Sequence, residues 1–150
     1  MHETFHIFAS KSHWYEVQIH DTPESMVTEI VRLRKRALKS DRDIRAVCMR
    51  YVHSVEVDGK MKDTGLMGSI LFVRDDLEVE VVVHEMAHAA VGWANRTSLK
   101  IQGRQPKRVV SSGEEKFACS METLIGQFYA QVGSALKSLA LSLFTEKKAA

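Results

Sequence analysis

The start of the chain alternates apolar and polar side chains along two short stretches. Thr4–Ala9 is the first, and in Trp14–His20 the apolar Tyr15, Val17 and Ile19 alternate with polar neighbours. A period of two places one set of side chains on a core and the other in water, as in a half-buried β-strand. The sequence therefore predicts two β-strands at the start of the chain.

A helix is predicted directly after the second strand. Thr22 can cap the helix, Pro23 has the backbone angle of a first helical position, and Glu24 suits the positive helix end. Apolar side chains then recur every three or four positions and give the helix a buried stripe. They are Met26, Val27, Ile30, Val31, Leu33, Ala37 and Leu38.

Two apolar stretches in the middle of the chain are predicted as strands. Ile44–Val57 is rich in β-branched side chains and ends at Asp58-Gly59, a pair typical of hairpin turns. Gly68–Val73 is a strand by its composition. Both stretches can therefore contribute to one small sheet.

Helices dominate the second half of the prediction. Asp75-Asp76 marks the cap of a helix that runs from about residue 77 to residue 95, and Arg96–Pro106 is a loop. A last helical region begins at Ser111 and is interrupted near Gly133-Ser134. Because strands and a helix come first and helices follow, the predicted fold class is α+β, with a small, mostly antiparallel sheet packed on the later helices.

Composition predicts one globular domain over residues 1–150. A chain of 150 residues is too short for two independent cores, and 45% hydrophobic with 27% charged residues is typical of a globular protein. The net charge of +2 gives no argument for nucleic-acid binding. The basic residues between Arg32 and Arg42 are interpreted as a solvated helix face.

The sequence also bears on the cellular compartment. The first residues lack the basic start and apolar core of a secretory signal, and no apolar run approaches the roughly 18 residues of a membrane helix. Cys48 and Cys119 form no CxxC pair and are interpreted as reduced structural thiols. We therefore expect a cytoplasmic protein with no nucleic-acid or membrane partner.

The segment VVVHEMAHAA carries the strongest chemical signal in the chain. It sets His84 and His88 four residues apart, with Glu85 directly after the first. Positions i and i+4 share one face of a helix, so both imidazoles can bind one zinc ion. Glu85 is rotated by about 100° from His84 and can take a proton from a metal-bound water as the catalytic base.

The flanks of this motif are uncharged, and Val81 stands three residues before the first histidine. With these flanks the segment resembles the HExxH motif of the zincin metallopeptidases. The metzincin branch has glycine and histidine three and six residues after the second histidine. Val91 and Ala94 occupy those positions here, which excludes that branch and leaves a resemblance to the gluzincins.

In the gluzincins a glutamate on a later helix completes the metal site. Glu115, with Ala118 three residues on, fits that arrangement and is the expected third ligand. Glu114 and Glu122 stay open as alternatives, and Glu122 could instead orient a ligand histidine. Serines stand three residues before both Glu114 and Glu115, so either acid could belong to a helix capping box.

The resemblance implies a minimal zincin-like domain that hydrolyses peptide bonds with zinc, as an endopeptidase rather than an exopeptidase. The substrate would be a protein or peptide, with one specific regulatory protein as a candidate. Zincins bind an extended substrate along a strand edge, and Gly68–Val73 is the strand predicted for it. The oxyanion-stabilising side chain is left open among Tyr51, His53, Arg96 and Tyr129.

Two alternatives keep the metal but not the hydrolysis. The first is a metal-binding regulatory or interaction module with little or no turnover, since the chain resembles compact repressor-cleaving metallopeptidases of mobile elements and stress regulons. The second is a structural zinc site, for which Cys119 is the candidate fourth ligand.

Overall fold

The computed structural model describes residues 2–35, 44–100 and 111–149, with side chains described up to residue 133. The described chain has two strands, a helix, four more strands and then two helices, and this grouping of strands and helices confirms the α+β class. In chain order the elements are β1 His2–Phe8, β2 Trp14–His20, α1 Pro23–Arg34, β3 Ala46–Arg50, β4 Ser54–Val57, β5 Lys60–Asp63, β6 Leu66–Val73, α2 Val79–Arg96 and α3 Ser112–Ala149.

The main sheet has four strands in the order β1-β2-β6-β3. The β1–β2 and β6–β3 pairs are antiparallel and the β2–β6 pair is parallel, so the sheet is mostly antiparallel as predicted. β4 and β5 form a separate hairpin. Its turn is Asp58-Gly59, where both residues have positive φ (52° and 72°), which confirms the predicted turn.

The sheet has an apolar core on each face. The larger core lies between the sheet and helices α2 and α3, and the smaller core lies under α1. The larger one includes Ile7, Tyr15, Val17, Ile19, Ile70, Phe72, Val82, Met86, Ala89, Leu124 and Phe128. Because β6 is central and covered on both faces, nearly all of its residues are buried, which accounts for its continuous apolar sequence.

The predicted start of α1 is confirmed. The side chain of Thr22 accepts a hydrogen bond from the backbone N–H of Ser25 at 3.2 Å, and Pro23 is the first helical residue. The helix ends at Arg34. Ala37 and Leu38, which were predicted to extend its apolar stripe, lie outside the described residues.

The prediction of one strand over Ile44–Val57 was wrong. The first part, β3, pairs with β6, whereas the second part, β4, pairs with β5. Residues 51–53 lie between the two strands. The stretch is divided because its two halves have different hydrogen-bonding partners, which the composition of a single segment does not reveal.

The predicted cap of α2 was also wrong. Asp75 and Asp76 lie in a short 3-10 turn, and α2 begins at Val79 without a side-chain cap bond. Arg45, just before β3, pairs with Asp76 at 3.3 Å and with Glu78 at 3.0 Å. The acidic side chains therefore connect the start of α2 to the sheet instead of bonding the helix N–H groups.

The long helix α3 differs from its prediction in one respect. It continues without a break through Gly133-Ser134, where an interruption was predicted. A glycine inside a helix costs only about 1 kcal/mol relative to alanine, which packing elsewhere along a helix readily offsets. Among the described helices, none is both long and apolar enough to span a membrane.

A buried tyrosine sets the distance between α2 and the sheet. The Tyr15 hydroxyl donates a hydrogen bond of 2.8 Å to the carbonyl of Ala89, and burial raises the pKa of this phenol. A Cβ added to Gly92 would lie 2.6 Å from Tyr15 Oη and 2.7 Å from Arg50 Cδ. Glycine at this position therefore allows the close approach of α2.

Replacing this glycine tests the packing. Gly92→Ala should lower the free energy of unfolding by about 1–3 kcal/mol, because the added methyl group must displace the tyrosine or the arginine. Gly126→Ala in α3 is the matched control, since its Cβ would meet no atom within 4 Å. The control should gain about 0.5–1 kcal/mol from helix propensity. Equal urea-unfolding midpoints for the two variants would contradict this account of the packing.

Candidate metal and catalytic site

Helix α2 presents its two histidines on one exposed face. The Nε2 atoms of His84 and His88 lie 3.1 Å apart, and the ring centroids are separated by 4.7 Å. The opposite side of the helix, with Val82, Met86 and Ala89, is fully buried in the larger core. The apolar residues of the motif therefore pack the helix, and its histidines face outward together.

The spacing of the imidazoles fits two ligands of a zinc ion. Two donors at 2.0–2.1 Å from a tetrahedral ion lie about 3.3 Å apart. The observed Nε2–Nε2 distance of 3.1 Å is close to that value. The same distance allows the N–H of one ring to donate a hydrogen bond to the other ring.

Glu85 lies on the inner side of this pair. Its side chain is largely buried, and the residue is only 7% exposed. Burial raises the pKa of its carboxyl, whereas His84, His88 and a hydrogen bond from the backbone N–H of Cys48 act in the opposite direction. The carboxylate therefore bridges α2 and strand β3.

Strand β3 has one open edge within the part of the chain that the structure describes. The backbones of Arg45 and Tyr51 bond to β6, at the two ends of the strand. Because antiparallel pairing alternates, the backbone groups of Ala46, Cys48 and Arg50 face away from β6. The Cys48 N–H, which contacts the buried Glu85 carboxylate, therefore faces away from β6.

This arrangement corrects the predicted substrate strand. Gly68–Val73 lies within β6, which is paired with β2 on one side and β3 on the other. Both of its edges are therefore occupied, and no peptide can be added there. The edge strand beside the histidines is β3, which is earlier in the chain.

A cleft lies between the first residues of β3 and the N-terminal half of α2. Its volume is about 480 Å³. His84 and Glu85 line it together with Ala46 of β3 and Arg45 just before it. One member of the imidazole pair, the buried carboxylate and the edge strand therefore border the same cavity.

The three glutamates considered as third ligand have different surroundings. Glu114 forms the capping box with Ser111, because each residue's N–H donates a hydrogen bond of 3.1 Å to the other's side chain. Glu115 and Glu122 are exposed, and Glu115 Oε1 lies 3.7 Å from Cys119 Sγ. The capping box gives the Glu114 carboxylate a structural role at the start of α3.

The structure does not bring an α3 glutamate to the imidazole pair. Among the described residues, no group of three or more His, Cys, Asp or Glu side chains is arranged to hold a metal ion. His84 and His88 converge, whereas Glu115 stays a prediction as their third partner. Cys119 likewise stays a prediction as a structural zinc ligand.

Three of the four side chains considered as oxyanion donors have other partners. Tyr51 Oη lies 2.6 Å from Ser69 Oγ, and Arg96 pairs with Asp63 at 3.0 Å. His53 bonds a threonine side chain at 2.9 Å. The fourth, the tyrosine of α3, is exposed. Neither these three contacts nor the exposure of the fourth side chain selects an oxyanion donor.

Two groups near the site carry no sequence motif. The first is the N–H of Cys48, whose thiol is buried beside Glu85 and has its pKa raised to about 12, mainly by burial. The second is Arg50, whose aliphatic stem lies against Gly92, one helical turn after His88. Strand alternation puts both residues on the α2 side of β3, but only once β3 is known to be the neighbouring strand.

No family model, curated protein or solved structure matches this chain. The interpretation of the site therefore depends on its own geometry and on the HExxH pattern. Both can be tested through the metal content of the protein.

Metal analysis of purified protein tests the imidazole pair. The wild type should hold about one zinc per chain after dialysis, as measured by mass spectrometry. His84→Ala and His88→Ala should each lose it, because a single imidazole cannot chelate. His53→Ala is the control and should keep the metal, because its ring bonds Thr64 away from the pair. Full zinc content in either α2 variant would exclude the site.

The same measurement distinguishes the glutamates. Glu115→Ala should lose zinc if Glu115 is the third ligand. Glu114→Ala should keep zinc and instead lose about 1 kcal/mol of stability, because it removes the capping box. Full zinc content in Glu115→Ala would assign the third ligand elsewhere, with Glu122→Ala as the next variant to measure.

Proposed function

We propose that this protein is a zinc-dependent endopeptidase, similar to a compact cytoplasmic gluzincin. His84 and His88 would hold the zinc ion, with Glu115 as the third ligand and Glu85 as the catalytic base. The observation that carries the proposal is the convergence of the two imidazoles beside a buried carboxylate at an open strand edge. A zinc ion held there would supply a Lewis acid for the peptide carbonyl.

The environment of Glu85 suits a general base. A base works best when its pKa is near the operating pH, and burial moves the pKa of this carboxyl upward toward that range. The carboxyl interacts electrostatically with both imidazoles and with the N–H of Cys48. The carboxylate takes a proton from the attacking water and returns it to the leaving amine.

The open edge of β3 provides the means to hold a peptide. The outward C=O of Cys48 and the outward N–H and C=O groups of Ala46 and Arg50 can pair with an extended chain as an added strand. Such a chain would run beside Glu85, because this carboxylate already contacts the Cys48 N–H. Pairing along the middle of a peptide, instead of at its terminus, favours endopeptidase action.

Replacing the base tests the proposal. Glu85→Gln should keep its zinc and lose about 10²–10⁴-fold in peptide cleavage, since the amide cannot accept the proton. Activity is measured on a mixed peptide library by mass spectrometry of newly formed termini, with zinc content determined in parallel. Glu80→Gln is the matched control, because this exposed glutamate lines the same cleft without contacting the histidines.

Two outcomes would contradict the proposal. Full cleavage by zinc-loaded Glu85→Gln would exclude Glu85 as the base. A protein partner that binds the wild type and stays intact, with no cleavage of any library peptide, would instead indicate the regulatory module with little or no turnover.

A further inference from the structure

A groove runs along the face of β3 opposite the metal site. It lies between β3 and α1 and has a volume of about 600 Å³. Its lining combines apolar side chains with two arginines, Arg34 and Arg50. We call it the α1–β3 groove and define it by Ile30, Leu33, Arg34, Val47, Met49 and Tyr51.

The groove lies next to the same edge that would bind a peptide. Along β3, Val47 and Met49 pack toward α1, whereas Ala46 and Cys48 pack toward α2. A strand added at this edge would alternate in the same way. Every second side chain would therefore lie over the α1–β3 groove, and the others would lie on the α2 side near the imidazoles.

Arginines border the edge on both sides, and the carboxylates of Glu80 and Glu85 line the cleft on the α2 side. Arg34 lies at the rim of the α1–β3 groove. The aliphatic stem of Arg50 lies against Gly92 of α2. Within the described residues, no carboxylate forms an ion pair with either arginine. By contrast Arg32, Arg45 and Arg74 each have acidic partners. The two arginines at the edge are thus available to an acidic ligand.

We propose that the site binds an extended peptide segment in which apolar and acidic side chains alternate. The apolar side chains enter the α1–β3 groove, and the acidic ones lie on the α2 side, where Arg50 meets a carboxylate. Backbone pairing with β3 supplies affinity, apolar burial adds to it, and charge complementarity selects the sequence. Such peptides would be the substrates of the proposed peptidase, and their cleavage rests on the proposed function.

Binding of three peptides tests the pattern. Fluorescein-labelled octapeptides of alternating Leu and Glu, Leu and Lys, and Ser and Glu are titrated with Glu85→Gln protein at pH 7.5, and fluorescence anisotropy is recorded. The Leu–Glu peptide should bind about tenfold or more tightly than either other peptide, because only it satisfies both the groove and the arginines. Equal affinity for the Leu–Lys or the Ser–Glu peptide would overturn the inference.

Variants locate the contacts. Arg50→Ala should weaken Leu–Glu binding about two- to fivefold, as expected for a solvated ion pair, and added salt should diminish the difference. Arg74→Ala is the control, because that arginine pairs with Glu3 and Asp21 away from β3, and it should change nothing. Unchanged binding by Arg50→Ala would remove the acidic part of the proposal.

A protein variant tests the α1–β3 groove, and methylated peptides test pairing with the edge of β3. Leu33→Lys should weaken the Leu–Glu peptide while leaving the thermal unfolding midpoint near that of the wild type, because Leu33 is only partly buried. Of two Leu–Glu peptides, one methylated at the Leu nitrogens and one at the Glu nitrogens, the one whose methyl groups face β3 should not bind, because it cannot donate its N–H groups to β3. Full binding of both methylated peptides would exclude strand addition.

The experiment separates this inference from the proposed function. His88→Ala protein, which cannot chelate zinc through the pair, should show the same order of peptide affinities. That order with no zinc binding or hydrolysis in the wild type would leave the peptide surface in place and refute only the peptidase. Zinc-dependent cleavage of many peptides without the Leu–Glu preference would refute only the inference about the substrate.

Discussion

The hydrogen bond between the Glu85 carboxylate and the N–H of Cys48 is the interaction on which the site depends. A buried carboxylate is costly unless donors compensate it, and this N–H belongs to the side of β3 that faces away from β6. The N–H therefore offsets part of the cost of burying the carboxylate. The hydrogen bond also links α2, which carries the histidines, to the edge strand.

The packing of α2 explains why one helix carries both valine-rich and ionisable residues. Its buried side fills the larger core, and the contacts around Tyr15 and Gly92 hold it close to the sheet. This packing also places the exposed side of the helix, which carries His84 and His88. Such a helix can hold two imidazoles at chelating distance without the ordering cost that mobile side chains would add.

Much of this architecture follows from local sequence signals. The alternation in β2, the threonine and proline at the start of α1 and the Asp58-Gly59 turn act through neighbouring residues, and each was predictable. The division of residues 44–57 into β3 and β4 depends on partners distant in sequence, as does the identity of the edge strand. His20 shows the same limit: this fully buried ring bonds Gln18 and Ser25, a network that only the packing of β2 against α1 creates.

The candidate site also has one part that local sequence predicts and one part that depends on distant packing. The spacing of His84 and His88 on one helix sets their convergence, whereas the position of Glu115 depends on how α3 packs against α2. X-ray absorption at the zinc edge of the metal-loaded protein tests the account most directly. It should show two imidazole nitrogens at about 2.0–2.1 Å together with carboxylate oxygen and no sulfur. A spectrum with one imidazole or none, or with a sulfur ligand at about 2.3 Å, would contradict a hydrolytic zinc centre on α2.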